Sequence, residues 1–163
     1  METHQHLIDI IRGFDTAMLV SHANDGSLRA RPMAVAKLND AGEMWFLTNR
    51  ESAKTNDIHQ SPTTLLTFQS SNQFVSVSGR SALKDDRTLV HRLWTESWKV
   101  WFPGGKDDPS ISLVHFIPEE AEYWDNAGIK GIGFLFKAGV AYLNETTPKM
   151  GKAEHSKVDM EQT

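Results

Sequence analysis

Residues 16–28 read Thr16-Ala17-Met18-Leu19-Val20-Ser21-His22-Ala23-Asn24-Asp25-Gly26-Ser27-Leu28. The stretch 16–22 has the composition of a strand, and Asn24-Asp25-Gly26-Ser27 closes it with a tight turn. Asp-Gly is a strong hairpin signal, because both central residues of the favoured turn must tolerate positive φ. Residues 28–38 then form the return strand, interrupted at Pro32. A proline donates nothing to a ladder, so that point is an edge, a bulge or a ligand-facing stretch.

Working outward, Leu7, Ile8, Ile10, Ile11 and Phe14 recur close to helical spacing, so an amphipathic helix over 3–13 precedes the hairpin. After it, Asn39-Asp40-Ala41-Gly42 turns the chain into a short apolar strand, 44–48. Ser52 is the N-cap of a helix that runs to about His59 and is stopped by Ser61-Pro62. Strands follow at 63–69 and 73–83, with Ser70-Ser71-Asn72 between them. The pattern predicts a helix over 86–101, a breaker-rich loop over 102–109, strands at 111–117 and 120–125, and a helix at 131–143. The last twenty residues are polar and are expected to fray. Hairpin-linked strands with helices at the ends and in one crossover predict a mainly β, α+β fold, an antiparallel barrel rather than a parallel sheet.

Composition narrows the function. The 163 residues suit one domain, and 39% apolar content is too high for a disordered chain. Seventeen Lys and Arg against 21 Asp and Glu give a net charge of −4 without a basic run, which disfavours nucleic acid. A barrel that stacks single-stranded bases on Phe and Trp fails on the same ground. There are no cysteines, so disulfides, thiolate metal sites and cysteine nucleophiles are excluded. Seven histidines are scattered without metal-ligand spacing, and no metal is expected. Apolar runs fall short of the ~20 residues of a membrane span, and the first residues lack a basic signal-peptide start. A cytoplasmic protein is expected.

Residues 29–54 hold the candidate site. Arg29 and Arg31 lie two apart in a strand and so share a face. Phe46-Leu47-Thr48-Asn49-Arg50-Glu51-Ser52-Ala53-Lys54 runs from a strand end into a short helix. It offers backbone N–H groups, two hydroxyls and a lysine, which is what an anionic phosphate needs. The competing reading is a surface strand with solvated charges and an ordinary helix cap.

Four blocks in order shift the balance toward the first. Arg31-x-Met33, Phe46-Leu47-Thr48-Asn49-x-x-Ser52-x-Lys54, Val75-Ser76-Val77-Ser78-Gly79-Arg80 and Glu122-Tyr123-Trp124-Asp125 resemble the pyridoxamine 5′-phosphate oxidase superfamily. Trp101-Phe102-Pro103-Gly104-Gly105-Lys106-Asp107-Asp108-Pro109 and Ala121 to Asp125 are similar to its general stress protein 26 branch. The resemblance covers roughly residues 5–145 and implies a single domain over 1–145 with a polar tail over 146–163. It implies a six-stranded antiparallel split β-barrel, a homodimer with two flavin mononucleotide (FMN) sites at the interface, and FAD or the deazaflavin F420 as alternatives. By this resemblance Arg31, Pro32, Met33, Ala34 and Val35 line the flavin and its phosphate tail. Leu47 and Thr48 contact the ring, Asn49 belongs to the cofactor-binding set, Ser52 and Lys54 hold the phosphate, and Trp124 borders the ring, from this subunit or its partner.

The departures fall on the substrate side. Ala36 stands where the oxidase proper has a lysine, and Phe74 where it has a glutamine. Asn126-Ala127-Gly128-Ile129-Lys130 replaces an Arg-x-His signature, and Phe134 falls near an expected arginine. The resemblance therefore implies a flavin-dependent oxidoreductase of unknown substrate and unassigned catalytic residues, without the vitamin oxidase activity. The alternative is a non-catalytic module that sequesters or senses flavin, with Trp94, Trp98, Trp101 and Phe102 filling the substrate side. Those four aromatics are equally explained as helix packing.

Overall fold

The predicted hairpin forms. β1 (Thr16–His22) and β2 (Leu28–Ala34) pair antiparallel from Thr16 opposite Ala34 to His22 opposite Leu28. Gly26 turns them with φ +81°, a conformation that glycine adopts without a steric penalty. A computed structural model of the chain describes residues 2–126 and 154–160. The helix expected at 131–143 lies outside the described residues.

Around the hairpin the order is α1 (Glu2–Arg12), β1, β2, β3 (Lys37–Leu38), β4 (Met44–Asn49), α2 (Ala53–Gln60), β5 (Thr63–Gln69), β6 (Gln73–Lys84), α3 (Arg87–Leu93), β7 (Ile111–Asp125) and β8 (Glu154–Asp159). One eight-stranded antiparallel sheet runs β2-β1-β5-β6-β7-β4-β3, with β8 added to β7. Pro32 is accommodated because β2 is an end strand. Past β2 the chain meets the other end of the sheet: the Ala36 N–H donates to the Trp45 carbonyl at 2.8 Å, and β3 pairs with β4. The sheet is thereby curled into a split barrel. The six strands that the resemblance implies correspond to β1, β2, β4, β5, β6 and β7, joined by the two-residue β3 and by β8.

Four segments differ from the sequence reading. The return strand expected over 28–38 ends at Ala34, and Lys37–Leu38 pair with β4 at the other end of the sheet instead of with β1. The strands expected at 111–117 and 120–125 are one strand, β7, because the Ser78/Gly79 register shift absorbs Glu119 as a bulge beside Pro118. The helix expected over 86–101 ends at Leu93, and 96–100 continues as a 3-10 turn. Phe102 is thereby buried beside Val90, Ile111 and Leu113. Residues 154–159, within the polar stretch expected to fray, form β8. Their own apolar burial there is only Val158, with Met160 beyond it, so the β7 ladder supplies most of the order.

Inward-facing residues fill the barrel. Leu19, Met44, Phe46, Leu66, Phe116 and Tyr123 are fully buried, and α1 caps them with Leu7, Ile8 and Ile11. Burying each large side chain contributes about 1.5–3 kcal/mol. A barrel this full has no room for a planar ring system inside, so any site lies on its wall.

Candidate functional site

The wall between β2, the end of β4 and the start of α2 carries most of the candidates. Arg31 projects from β2, opposite Leu19 of β1. Its guanidinium donates to the Ser21 hydroxyl at 3.2 Å and to the Asp57 carboxylate at 3.3 Å. Ser21 in turn donates to Asp57 at 3.1 Å. Asp57 is buried on α2, and a buried carboxylate is tolerated only when paired and hydrogen-bonded as this one is.

Lys54 lies one helical turn before Asp57, half-buried. Burial, reinforced by the neighbouring Arg31 guanidinium, pushes its ammonium below the ordinary lysine range. Two cations therefore share one partly desolvated spot, against a single carboxylate. That imbalance favours an anion between them.

Hydroxyls extend the spot. Ser52 occupies the N-cap position of α2, as its sequence context predicts, but makes no side-chain cap. Its hydroxyl lies 2.9 Å from Thr55 Oγ1 and 3.5 Å from Thr48 Oγ1. Thr55 gives its own proton to the Asn49 carbonyl at 3.0 Å, so Ser52 is the donor of the Ser52–Thr55 pair. The first backbone N–H groups of α2 are left without a side-chain acceptor from Ser52, an arrangement suited to phosphate oxygens.

The other candidates divide. Thr48 is buried beside Ser52, Asn49 is exposed, and Leu47 packs against the Val90–Phe102 cluster. On β2, Pro32 and Ala34 face outward, whereas Met33 faces the core; Val35 is packed against it. Trp124 is elsewhere. It sits at the far end of β7 opposite Phe74, 37% exposed, with its ring stacked on His155 at 5.1 Å and 12°. Arg29, on the same strand face as Arg31, is exposed. Of the four aromatics considered for the substrate side, Phe102 is buried in its own cluster, Trp94 meets Trp98 edge-on at 6.1 Å, and Trp101 is 77% exposed.

Sequence reasoning passed over Ser21 and Asp57. The available signal was a hydroxyl in the same strand phase as Ala17 and Leu19, and a carboxylate three residues beyond Lys54. A separate cleft of about 520 Å³ is lined by Ser78, Glu119, Glu120, Lys157, Val158 and Asp159. Its three carboxylates against one ammonium make it unsuited to a phosphate. No group of His, Asp and Glu capable of holding a metal occurs among the described residues, and none of their helices is long and apolar enough to cross a membrane.

The chain is thus a curled split barrel with a two-cation, hydroxyl-lined spot on its wall beside the β1–β2 hairpin. The chain belongs to the pyridoxamine 5′-phosphate oxidase-like family, which its residues 2–149 match, and within it to the general stress protein 26 branch. A general stress protein 26 structure from a Jannaschia species is 25% identical, covers 98% of this chain and 99% of its own, and superposes with a TM-score of 0.72. The general stress FMN/FAD binding protein of Xanthomonas citri is 29% identical, with 77% and 89% of the two chains covered and a TM-score of 0.66. Protein bli-3 of Neurospora crassa is 30% identical over 117 residues, 65% of this chain. The match spans only 56% of that relative's length.

Proposed function

We propose that this protein binds FMN and acts as a flavin-dependent oxidoreductase of the general stress type. The observation that carries the reading is the half-buried Lys54 beside Arg31, a pair of cations only partly offset by Asp57. These residues fit the phosphate of FMN: Arg31 and Lys54 supply charge, Ser52 a hydroxyl, and α2 its first N–H groups. Thr48 and Asn49 at the end of β4 lie toward the ring side. The X. citri relative, described as an FMN/FAD binding protein, supports the same cofactor class.

When bound, the flavin supplies the electron-transfer chemistry; the chain supplies binding, orientation and exclusion of water. The working unit is a homodimer. Within one subunit Trp124 is remote from Lys54, so its place at the flavin ring is against the partner's site. Vitamin oxidase activity is not part of the proposal, because Ala36 removes a cation from the substrate side.

The test is the visible spectrum of the purified protein, with the extracted cofactor identified by mass. FMN is expected. NAD(P)H consumption by the loaded protein then separates an oxidoreductase from a flavin-holding module.

A further inference from the structure

We infer that Asp57, together with Ser21, is a positioning residue for the anion site, fixing the Arg31 guanidinium so that its remaining N–H groups face the phosphate. The inference rests on the reading of that site as a phosphate site, and adds two residues that neither the sequence motifs nor the family match assigns.

The geometry is a closed triangle. Arg31 reaches Ser21 at 3.2 Å and Asp57 at 3.3 Å, and Ser21 reaches Asp57 at 3.1 Å. Its members come from three elements, β1, β2 and α2, so the triangle sets where α2 lies against the hairpin. The Ser21 and Asp57 side chains are buried, while the Arg31 side chain is 20% exposed. The two buried groups therefore grip the guanidinium from the protein side. An arginine is long and rich in rotamers, and holding it in place before the anion arrives removes an ordering cost from binding. The carboxylate also answers Arg31's charge, which lets Arg31 and Lys54 stand close together.

A purely structural ion pair would affect folding alone. A positioning role affects the phosphate tail selectively, and titrations with FMN and riboflavin tell these apart. Asp57→Ala is expected to weaken FMN binding about 10-fold, the loss of one well-placed charge-assisted hydrogen bond, while riboflavin stays within about twofold. Asp57→Asn retains an acceptor for Arg31 and is expected to recover most of that loss. Ser21→Ala is expected to shift FMN in the same direction, about threefold, and serves if Asp57→Ala does not fold. An unchanged FMN-to-riboflavin ratio in folded Asp57→Ala or Ser21→Ala protein overturns the inference.

A second readout needs no flavin. In arginine-edited ¹H–¹⁵N spectra the Arg31 guanidinium protons should exchange slowly in the native protein and rapidly in Asp57→Ala. Slow exchange together with failure of every flavin to bind would retire the flavin proposal and leave the Arg31 anchor supported. Exchange as fast as that of free arginine in the native protein would overturn the anchor itself.

Discussion

Thr48 and Trp124 lie at opposite ends of β7: Thr48 pairs opposite Ser112 near its start, Trp124 opposite Phe74 near its finish. Residues 112–124 between them are continuous strand rising about 3.3 Å per residue, which sets the two well apart along β7 within a subunit. The proposed homodimer would bring the Trp124 end of one chain to the Lys54 wall of the other, and its symmetry would give two equivalent sites. Light scattering should therefore report a dimer with FMN bound at one per chain, and Trp124→Ala should weaken FMN and riboflavin alike. A monomer at micromolar concentration that still holds stoichiometric FMN would contradict this.

Lys54→Ala and Arg31→Ala should each weaken FMN roughly 10–100-fold, and riboflavin far less. Their effects on stability should diverge. Arg31→Ala strands the buried Asp57 carboxylate and should cost roughly 3 kcal/mol. Lys54 is held in its charged form against burial, so Lys54→Ala should leave the unfolding free energy unchanged or slightly higher. Urea unfolding of both variants checks the split.

The pH dependence follows from the same lysine. Burial and Arg31 lower the Lys54 ammonium below its unfolded value, so in the alkaline window between the two the unfolded chain binds more protons. This group's contribution to stability is therefore a penalty at neutral pH, relieved as pH rises through the lowered folded value toward the unfolded one. Phosphate binding runs the other way: FMN affinity relative to riboflavin should fall as Lys54 loses its proton, at lower pH than an ordinary lysine titrates. Lys54→Met should abolish that fall. Isothermal titration across the alkaline range measures it.

Gly79 belongs to one of the blocks that carries the family resemblance, yet its role is packing. A Cβ there would press into the Ile117 carbonyl oxygen and lie 2.8 Å from the Phe116 ring and 3.0 Å from Pro118 Cα. The backbone atoms cannot swing away. Gly79→Ala should therefore cost about 1–3 kcal/mol, as overpacking does, without changing the FMN-to-riboflavin ratio. Thermal unfolding and the paired titration check both halves.

Local signals made the hairpin legible: Asp25-Gly26 in the turn and Pro32 at a sheet end act within a few residues. The same holds for α2, where Ser52 starts the helix and Ser61-Pro62 stops it. What was illegible depends on distant partners. Pro118 reads as a strand break until β6 is placed beside it and a bulge takes up Glu119. The 154–159 strand is polar and takes its order from a ladder with β7. In the site, Arg31, Ser52 and Lys54 were visible as residue types suited to phosphate. Ser21 and Asp57 were not, because their significance is a contact between β1, β2 and α2 that no short window contains.

The most direct measurement is a fluorescence titration of purified, cofactor-stripped protein with FMN, FAD and deazaflavin F420, with riboflavin as the phosphate-free reference. The account predicts saturable binding of FMN at one per chain, tighter than riboflavin, with quenching of the flavin emission. Failure of all three to bind would contradict it.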